Sequence, residues 1–474
     1  MRRLVVLAGA LAVAGAGCGS QSRSGPGPAP ATTVLKLHPV AAAQVPPRRL
    51  VDVQVTVVDG DTNARVRGAH VRIGQRNARS NRRGVAHVPL ARRASLVTVA
   101  AKPGYGERAL RLSFRTHPKS TIRIYRRSLQ WGMYGASAAR TQAQAGISVR
   151  PPFRVVWSRG LGSLLEFPAI VSDGVAYIAN ARGTVRALDM RNGDVIWRRD
   201  TPRGKMASSP ALWRDQVIVH GMDGHVWVLR RSDGKLLWRY TVGSPVESSP
   251  VIVAGADIFG AWDGTITALD LHTHQVRWRR HSGCKVTSSA AFAGGTLYIG
   301  DYCGRLTALS PSTGAVRWSA SVNGRVYGTP AVAGGRVFVP SSTGGSLTAF
   351  STRGRFLWRR NTGAYVYSSP AVAGGRVFVG SYNGLFYAFR ASTGRTLWAR
   401  PTGGPVSGAA VVVAGVAYAG SFSHQIVGVD ASSGRVVVRF PHGEYVPVSG
   451  GGERLLLHGY SRIYAVVSAA REHR

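Results

Sequence analysis

The sequence is poor in carboxylates, lysine and cysteine, and it contains no apolar run long enough to cross a membrane as a helix. Of 474 residues only 21 are Asp or Glu, against 61 Lys or Arg, for a formal charge of +40. Lysine stands only at positions 36, 102, 119, 205, 235 and 285, so the excess is arginine. Few carboxylates weigh against a hard-cation site, which needs several oxygen ligands brought together. The three cysteines, Cys18, Cys284 and Cys303, lack the spacing of a zinc site or a haem attachment motif. The apolar run at 4–13 is about half of the roughly 20 residues that span a bilayer. No Gly-x-Ser-x-Gly elbow and no plausible Ser/His/Asp set stands out. The pairs Gly294-Gly295 and Gly334-Gly335 precede no helical pattern, so they read as hairpin turns and not phosphate loops. No helix-turn-helix, zinc-finger or base-stacking signature accompanies the arginines, and their clusters are short, as at 79–83, so a specific nucleic-acid function is not expected. Charge of one sign does attract polyanions such as anionic envelope surfaces and polymers. The alternative is an arginine-rich composition spread without a patch.

The N-terminus reads as a targeting segment. Arg2-Arg3, the apolar run and then Gly15-Ala16-Gly17-Cys18 resemble a bacterial lipobox, with Gly15 where that family prefers Leu. The resemblance implies a lipoprotein signal peptide at 1–18, lipidation of Cys18, and an exported chain tethered on the extracytoplasmic side of a membrane. Secretion with cleavage after Ala16 is the alternative. Residues 19–47, rich in Pro, Ala, Gly and Ser, form a tether with nothing to bury.

Self-similarity dominates the rest. Trp157, Trp197, Trp238, Trp278, Trp318, Trp358 and Trp398 recur every 40 or 41 residues, and Val438 takes the next slot. Each closes a similar phrase, such as ALDMRNGDVIW at 187–197, ALSPSTGAVRW at 308–318 and AFRASTGRTLW at 388–398. Ser-Ser-Pro and two short apolar runs split by Gly-Gly lie between the phrases. Four strand signals within each repeat, with hairpin turns such as Asn383-Gly384, mean a propeller of four-stranded blades. The marker occurs eight times. The outer strand at 153–159 has no inner strands before it, and 446–468 has inner strands without an outer one. The two halves complete one blade and close an eight-bladed β-propeller.

The phrases resemble the PQQ-like propeller repeat family, whose pattern is close to Ala-Leu-Asp-x-x-Thr-Gly-x-x-x-Trp, across about 131–468. The lead-in WGMYGASAAR at 131–140 also looks like the segment that opens such propellers. The family includes quinone-dependent dehydrogenases, sensor domains and BamB-like envelope lipoproteins, so fold does not decide function. Residues 48–127 alternate as short strands and resemble a transthyretin-like, carboxypeptidase-regulatory β-sandwich. The expected fold class is therefore all-β throughout.

Alternating strand directions put the connections between blades and the second-to-third-strand turns on one face. Those turns carry Met222, Trp262, Tyr302, Tyr382, Phe422 and Tyr460; the connections carry Glu166, Lys205, Glu247, Lys285, Arg325, Tyr327, Tyr365, Tyr367 and Tyr445. An aromatic rim of mixed charge around an axial opening is a candidate binding face. Packing between neighbouring blades is the alternative. Cys284 and Cys303 fall on that face of one blade, placed for a disulfide or left as two thiols. His272 and His274 occupy a turn where the repeat has Thr-Gly, and read as turn residues, not a metal pair. A PQQ site would need Ca²⁺ ligands near the axis, where only Glu166 and Glu247 are available. The expectation is a monomeric, non-catalytic envelope lipoprotein without cofactor, whose propeller binds an envelope protein or an anionic polymer. The alternatives are a PQQ- and Ca²⁺-dependent dehydrogenase, and an extracytoplasmic sensor or glycan-binding module.

Overall fold

The computed structural model describes residues 50–91, 95–114, 118–201 and 204–469. The expected signal peptide and tether, with Cys18, lie outside the described residues.

Eight sheets, each with four antiparallel strands and one with a fifth added, follow one another along the chain. Blades 1 to 7 occupy residues 170–200, 211–241, 251–281, 291–321, 331–361, 371–401 and 411–441. Blade 8 combines Gly443–Gly451, Arg454–Gly459 and Arg462–Ser468 with the early strand Phe153–Gly160. The innermost strands neighbour one another in order, and that of blade 8 lies beside that of blade 1. Pairing the first outer strand with the last inner ones leaves no open sheet edge at the seam.

The repeat phrase has a mechanical meaning. In every blade the register between third and fourth strands slips at the same place, as between Ala187 and Leu188 or Ala308 and Leu309. Such a bulge re-aims the strand's side chains. The tryptophan then reaches the next blade, where its indole N–H donates to a turn carbonyl: Trp157 to Met190 at 2.9 Å, Trp278 to Pro311 at 2.9 Å, Trp358 to Ala391 at 3.1 Å. The turn glycine beneath each ring has positive φ and no room for a side chain. A Cβ at Gly314 would stand 2.6 Å from Trp278. Blade 3 departs from this rule. His274 replaces the glycine at φ 62° and stacks on Trp238 at 4.2 Å, and the Trp238 indole nitrogen has no partner. His272 packs edge-on against Trp213, so these turn histidines cover tryptophans.

The Ser-Ser-Pro repeats form a belt around the axis. The amide of Ser209 donates to the Ser249 hydroxyl, that of Ser249 to Ser289 and that of Thr329 to Ser369, each 40 residues on. A second belt comes from the lead-in. The carbonyls of Ala138, Ala139, Thr141 and Gln142 accept the amides of Phe292, Val332, Val372 and Val412, on the innermost strands of blades 4 to 7. Ala143–Gln144 then adds a fifth, parallel strand inside blade 7. The segment thereby plugs the axis. Its Arg140 is fully buried, donating to the carbonyls of Ala290 at 3.0 Å and Pro250 at 2.8 Å. Loss of solvent lowers that guanidinium to about 10.

Residues 50–124 form two sheets around one core that includes Val55, Val57, Val71, Ile73, Val88 and Ile122. Two strands here escape the sequence pattern. Arg76–Arg79 is too polar to signal, and Lys119–Ile124 pairs in parallel with Leu50–Asp59, far from its neighbours in sequence. This unit sits on the propeller face formed by the first-to-second-strand hairpins. Tyr125 covers Gly174, and Arg108 donates to the Asp173 carbonyl at 3.3 Å. Among the described residues, the opposite face, built from the connections, is clear of it.

Candidate functional site

One backbone bond, repeated, builds the connection face. The turn residue of each blade donates its amide to the incoming connection: Met222 to Lys205, Trp262 to Pro245, Tyr302 to Lys285, Tyr382 to Tyr365 and Phe422 to Pro405, at 2.8–3.0 Å. Turn and connection side chains from the same blade are thereby set side by side.

The face divides in two. An aromatic half runs across blades 5 to 8. Tyr327 meets Tyr367 at 5.2 Å between ring centroids, Tyr367 meets Tyr382 at 4.9 Å, Tyr382 meets Phe422 at 5.9 Å and Phe422 meets Tyr445 at 5.7 Å. Tyr365 flanks Tyr367 and Tyr382 and is 50% exposed. The tilted and edge-on geometries are those aromatic quadrupoles favour. A cationic half lies on blades 3 to 5. Lys285 Nζ stands 3.2 Å from the centre of Trp262 and 5.1 Å from that of Tyr302, and Arg325 lies 5.6 Å from Tyr302. Burial holds the Lys285 ammonium below its ordinary range, with Glu247 opposing the shift.

Glu247 joins the halves. Its Oε2 accepts the Trp262 indole N–H at 3.0 Å and its Oε1 accepts the Tyr327 hydroxyl at 2.5 Å. Burial, then the charges of Glu247 and Glu166, push the Tyr327 phenol far above its ordinary range, so it stays a donor. Burial also raises Glu166, helped by Glu247 and opposed by Lys205, and Tyr445 is pushed up to about 12. Glu166, Glu247, Tyr327, Tyr367 and Tyr445 surround an axial cavity of about 40 Å³, floored by Tyr134 and Phe167. Lys205 is exposed at the rim, and Tyr460, 52% exposed, pairs with no ring among the described residues. Cys284 and Cys303 are bonded with their Cα atoms 5.8 Å apart, tying the connection that carries Lys285 to the turn that carries Tyr302.

Sequence reasoning missed the floor. Tyr134 and Arg140 come from the lead-in, and nothing in its pattern says that it enters the axis. The Ser-Ser-Pro repeat was the available signal that the axis is lined by hydrogen-bonding groups.

A calcium-held quinone does not fit these residues. The cavity has room for a few waters, whereas ligand pockets run to about 300–1,000 Å³. Both Glu247 oxygens are engaged by donors, and among the described residues no three His, Cys, Asp or Glu side chains converge for a metal. The close His220–Asp257 pair, at 2.8 Å, is fully buried between blades 2 and 3, and its other ring nitrogen is held by the Ser248 carbonyl.

A family model described as outer membrane protein assembly factor BamB matches residues 151–261, 262–364 and 341–444. The chain belongs to that family. It is 30% identical over 90 residues to the outer membrane protein assembly factor BamB of Bordetella pertussis, a stretch covering 19% of this chain and 23% of that protein. The match thus spans about a quarter of that relative. The crystal structure of BamB from Moraxella catarrhalis superposes on 66% of this chain and 99% of its own, with a TM-score of 0.58 at 18% identity. The quinohemoprotein alcohol dehydrogenase of Comamonas testosteroni superposes on 73% of this chain and 82% of its own, with a TM-score of 0.63 at 16% identity. These structural likenesses carry the PQQ-like propeller fold alone.

Proposed function

We propose that the chain is a non-catalytic envelope scaffold, exported and lipid-anchored through Cys18, whose connection face holds an extended segment of an envelope assembly protein. The observation that carries this reading is the arc from Tyr327 through Tyr367, Tyr382 and Phe422 to Tyr445. Rigid aromatic side chains supply large contact area at low entropic cost, and they form the anchors of protein interfaces. Glu247 and Lys285 beside the arc supply polar groups that fix the orientation of a bound segment. Family membership gives the reading its context, since the matching model describes an outer membrane assembly factor. No cofactor is part of it, because the axial residues do not fit a quinone held by calcium.

The test is purification of the full chain from envelope extracts at physiological salt, with wild type compared with Tyr382→Ala/Phe422→Ala. The reading predicts an envelope protein retained by wild type and lost from the double variant, with the fold intact by circular dichroism. Equal retention by both chains removes the aromatic arc from the account.

A further inference from the structure

The face opposite the arc carries a second feature. Between residues 271 and 429, blades 4 to 6 and most of blade 7, Asp301 is the only acidic residue, while arginines recur as far as Arg400. Two neighbouring cavities open among the hairpins of these blades. One, of about 680 Å³ between blades 4 and 5, is lined by Arg317 and Arg353. The other, of about 530 Å³ between blades 5 and 6, is lined by Arg336, Arg376 and Arg390. They meet at Ala333 and Gly334, and neither is lined by a carboxylate.

Two of these guanidiniums are held in place yet keep an unpaired nitrogen, and a third, Arg317, donates to Thr296 Oγ1 at 2.6 Å. Arg336 and Arg376 occupy the same position in consecutive repeats. Each donates from Nη1 to the carbonyl of its own hairpin, Gly334 at 2.9 Å and Gly374 at 3.1 Å. The Nε of each is buried without an acceptor, and none of the five arginines is ion-paired among the described residues. A buried donor left unpaired costs free energy that an anion would recover.

Blade 8 offers the repeat equivalent, and there too the arginine Nε is buried without an acceptor. Gly451 pairs with Arg454 as Ala333 pairs with Arg336, so Arg454 is the repeat equivalent of Arg336 and Arg376. There the N-terminal sandwich delivers Asp61, whose carboxylate lies over the Gly452 hairpin and lines one small cavity with Arg454. Asp61 lines that cavity without pairing with Arg454, and no carboxylate lines the cavities of blades 5 and 6.

We propose that these two grooves bind a polyanion carrying phosphoryl groups along a chain or surface, on the face opposite the aromatic arc. Three guanidiniums around one cavity call for more charge than a single carboxylate brings, and their planar forks match phosphoryl oxygens. Adjacent seats one blade apart match charges that repeat. The site is independent of the aromatic face and of whatever that face holds.

The test measures binding of the full chain to inorganic polyphosphate, poly-glutamate of equal charge and anionic phospholipid vesicles, at about 150 mM salt, where exposed charge is screened beyond about 8 Å. Arg336→Gln/Arg376→Gln is compared with Arg355→Gln/Arg395→Gln, which removes equal charge from the same blades outside the cavities. The expected result is at least about tenfold weaker binding of polyphosphate or vesicles by the first variant and less than about twofold by the second. Preference for polyphosphate identifies a polymer and preference for vesicles a lipid headgroup. Equal loss in both variants, or poly-glutamate bound as tightly as polyphosphate, overturns the proposal. Tyr382→Ala/Phe422→Ala should leave this binding unchanged, which separates its failure from that of the scaffold reading.

Discussion

Glu247, on the connection into blade 3, accepts the hydroxyl of Tyr327, on the connection into blade 5, at 2.5 Å across the mouth of the propeller axis. The bond spans 80 residues of sequence and skips a blade. It ties the cationic half of the connection face to the aromatic half. Replacing Tyr327 by Phe keeps the ring and leaves a buried carboxylate oxygen without a donor. The expected cost is about 1–3 kcal/mol in denaturant unfolding, with partner retention reduced in step. Unchanged stability would mean that water replaces the phenol without loss.

The Trp–Gly contact between blades predicts opposite signs at two equivalent positions. Gly314→Ala places a methyl group 2.6 Å from the Trp278 ring at positive φ, and should destabilise the protein by about 2 kcal/mol or more. His274→Gly relieves a left-handed residue and lets Trp238 settle as its counterparts do, for a change within about 1 kcal/mol of wild type. Guanidinium titration followed by tryptophan fluorescence measures both.

Blade 8 should be sensitive to acid. His458 is buried and accepts the Ala169 amide at 3.2 Å, and burial lowers it to about 4 from 6.5. The native state resists protonation that the unfolded chain accepts. The stability it contributes is therefore full above pH 6.5 and is lost as pH falls toward 4, by about 3 kcal/mol in all. His458→Gln should flatten the stability profile across that window. Asp61 acts in the reverse sense. Burial raises its carboxyl to about 6, so its charged form opposes docking of the sandwich above pH 6 and ceases to do so below about 3.8. Asp61→Asn should gain about 1–2 kcal/mol at pH 7, discounted for its partial exposure, and nothing near pH 3.5.

The Cys284–Cys303 bond closes a loop with a sequence separation of 19. Chain-entropy arguments assign such a loop about 3 kcal/mol. Cys284→Ser/Cys303→Ser should lose about that much. It should also weaken whatever uses the Lys285–Trp262 stack, read as a change in tryptophan emission.

The repeat was legible because a propeller writes each blade in the same local code. Tryptophan, turn glycine and hairpin pairs recur at fixed spacing, and even the connection face follows from strand alternation. The parts that escaped depend on contacts distant in sequence. Arg140 reads as one more arginine of a basic chain, yet it is fully buried in the axis. Lys119–Ile124 finds a parallel partner more than 60 residues away. The unpaired Nε atoms of Arg336 and Arg376 stand out only once the hairpins of neighbouring blades are seen to enclose them. Glu247 was identified as axial, but its two donors come from different blades, and no local pattern encodes such a pairing.

The most direct test of the scaffold account is site-specific photo-crosslinking in intact cells. A photoreactive residue would stand at Tyr365, half exposed beside the arc, and at Ala254 on the opposite face as control. The account predicts one discrete adduct with an envelope protein from position 365 and none of that mass from position 254. The same adduct from both positions, or none from position 365 in a folded and exported chain, would contradict it.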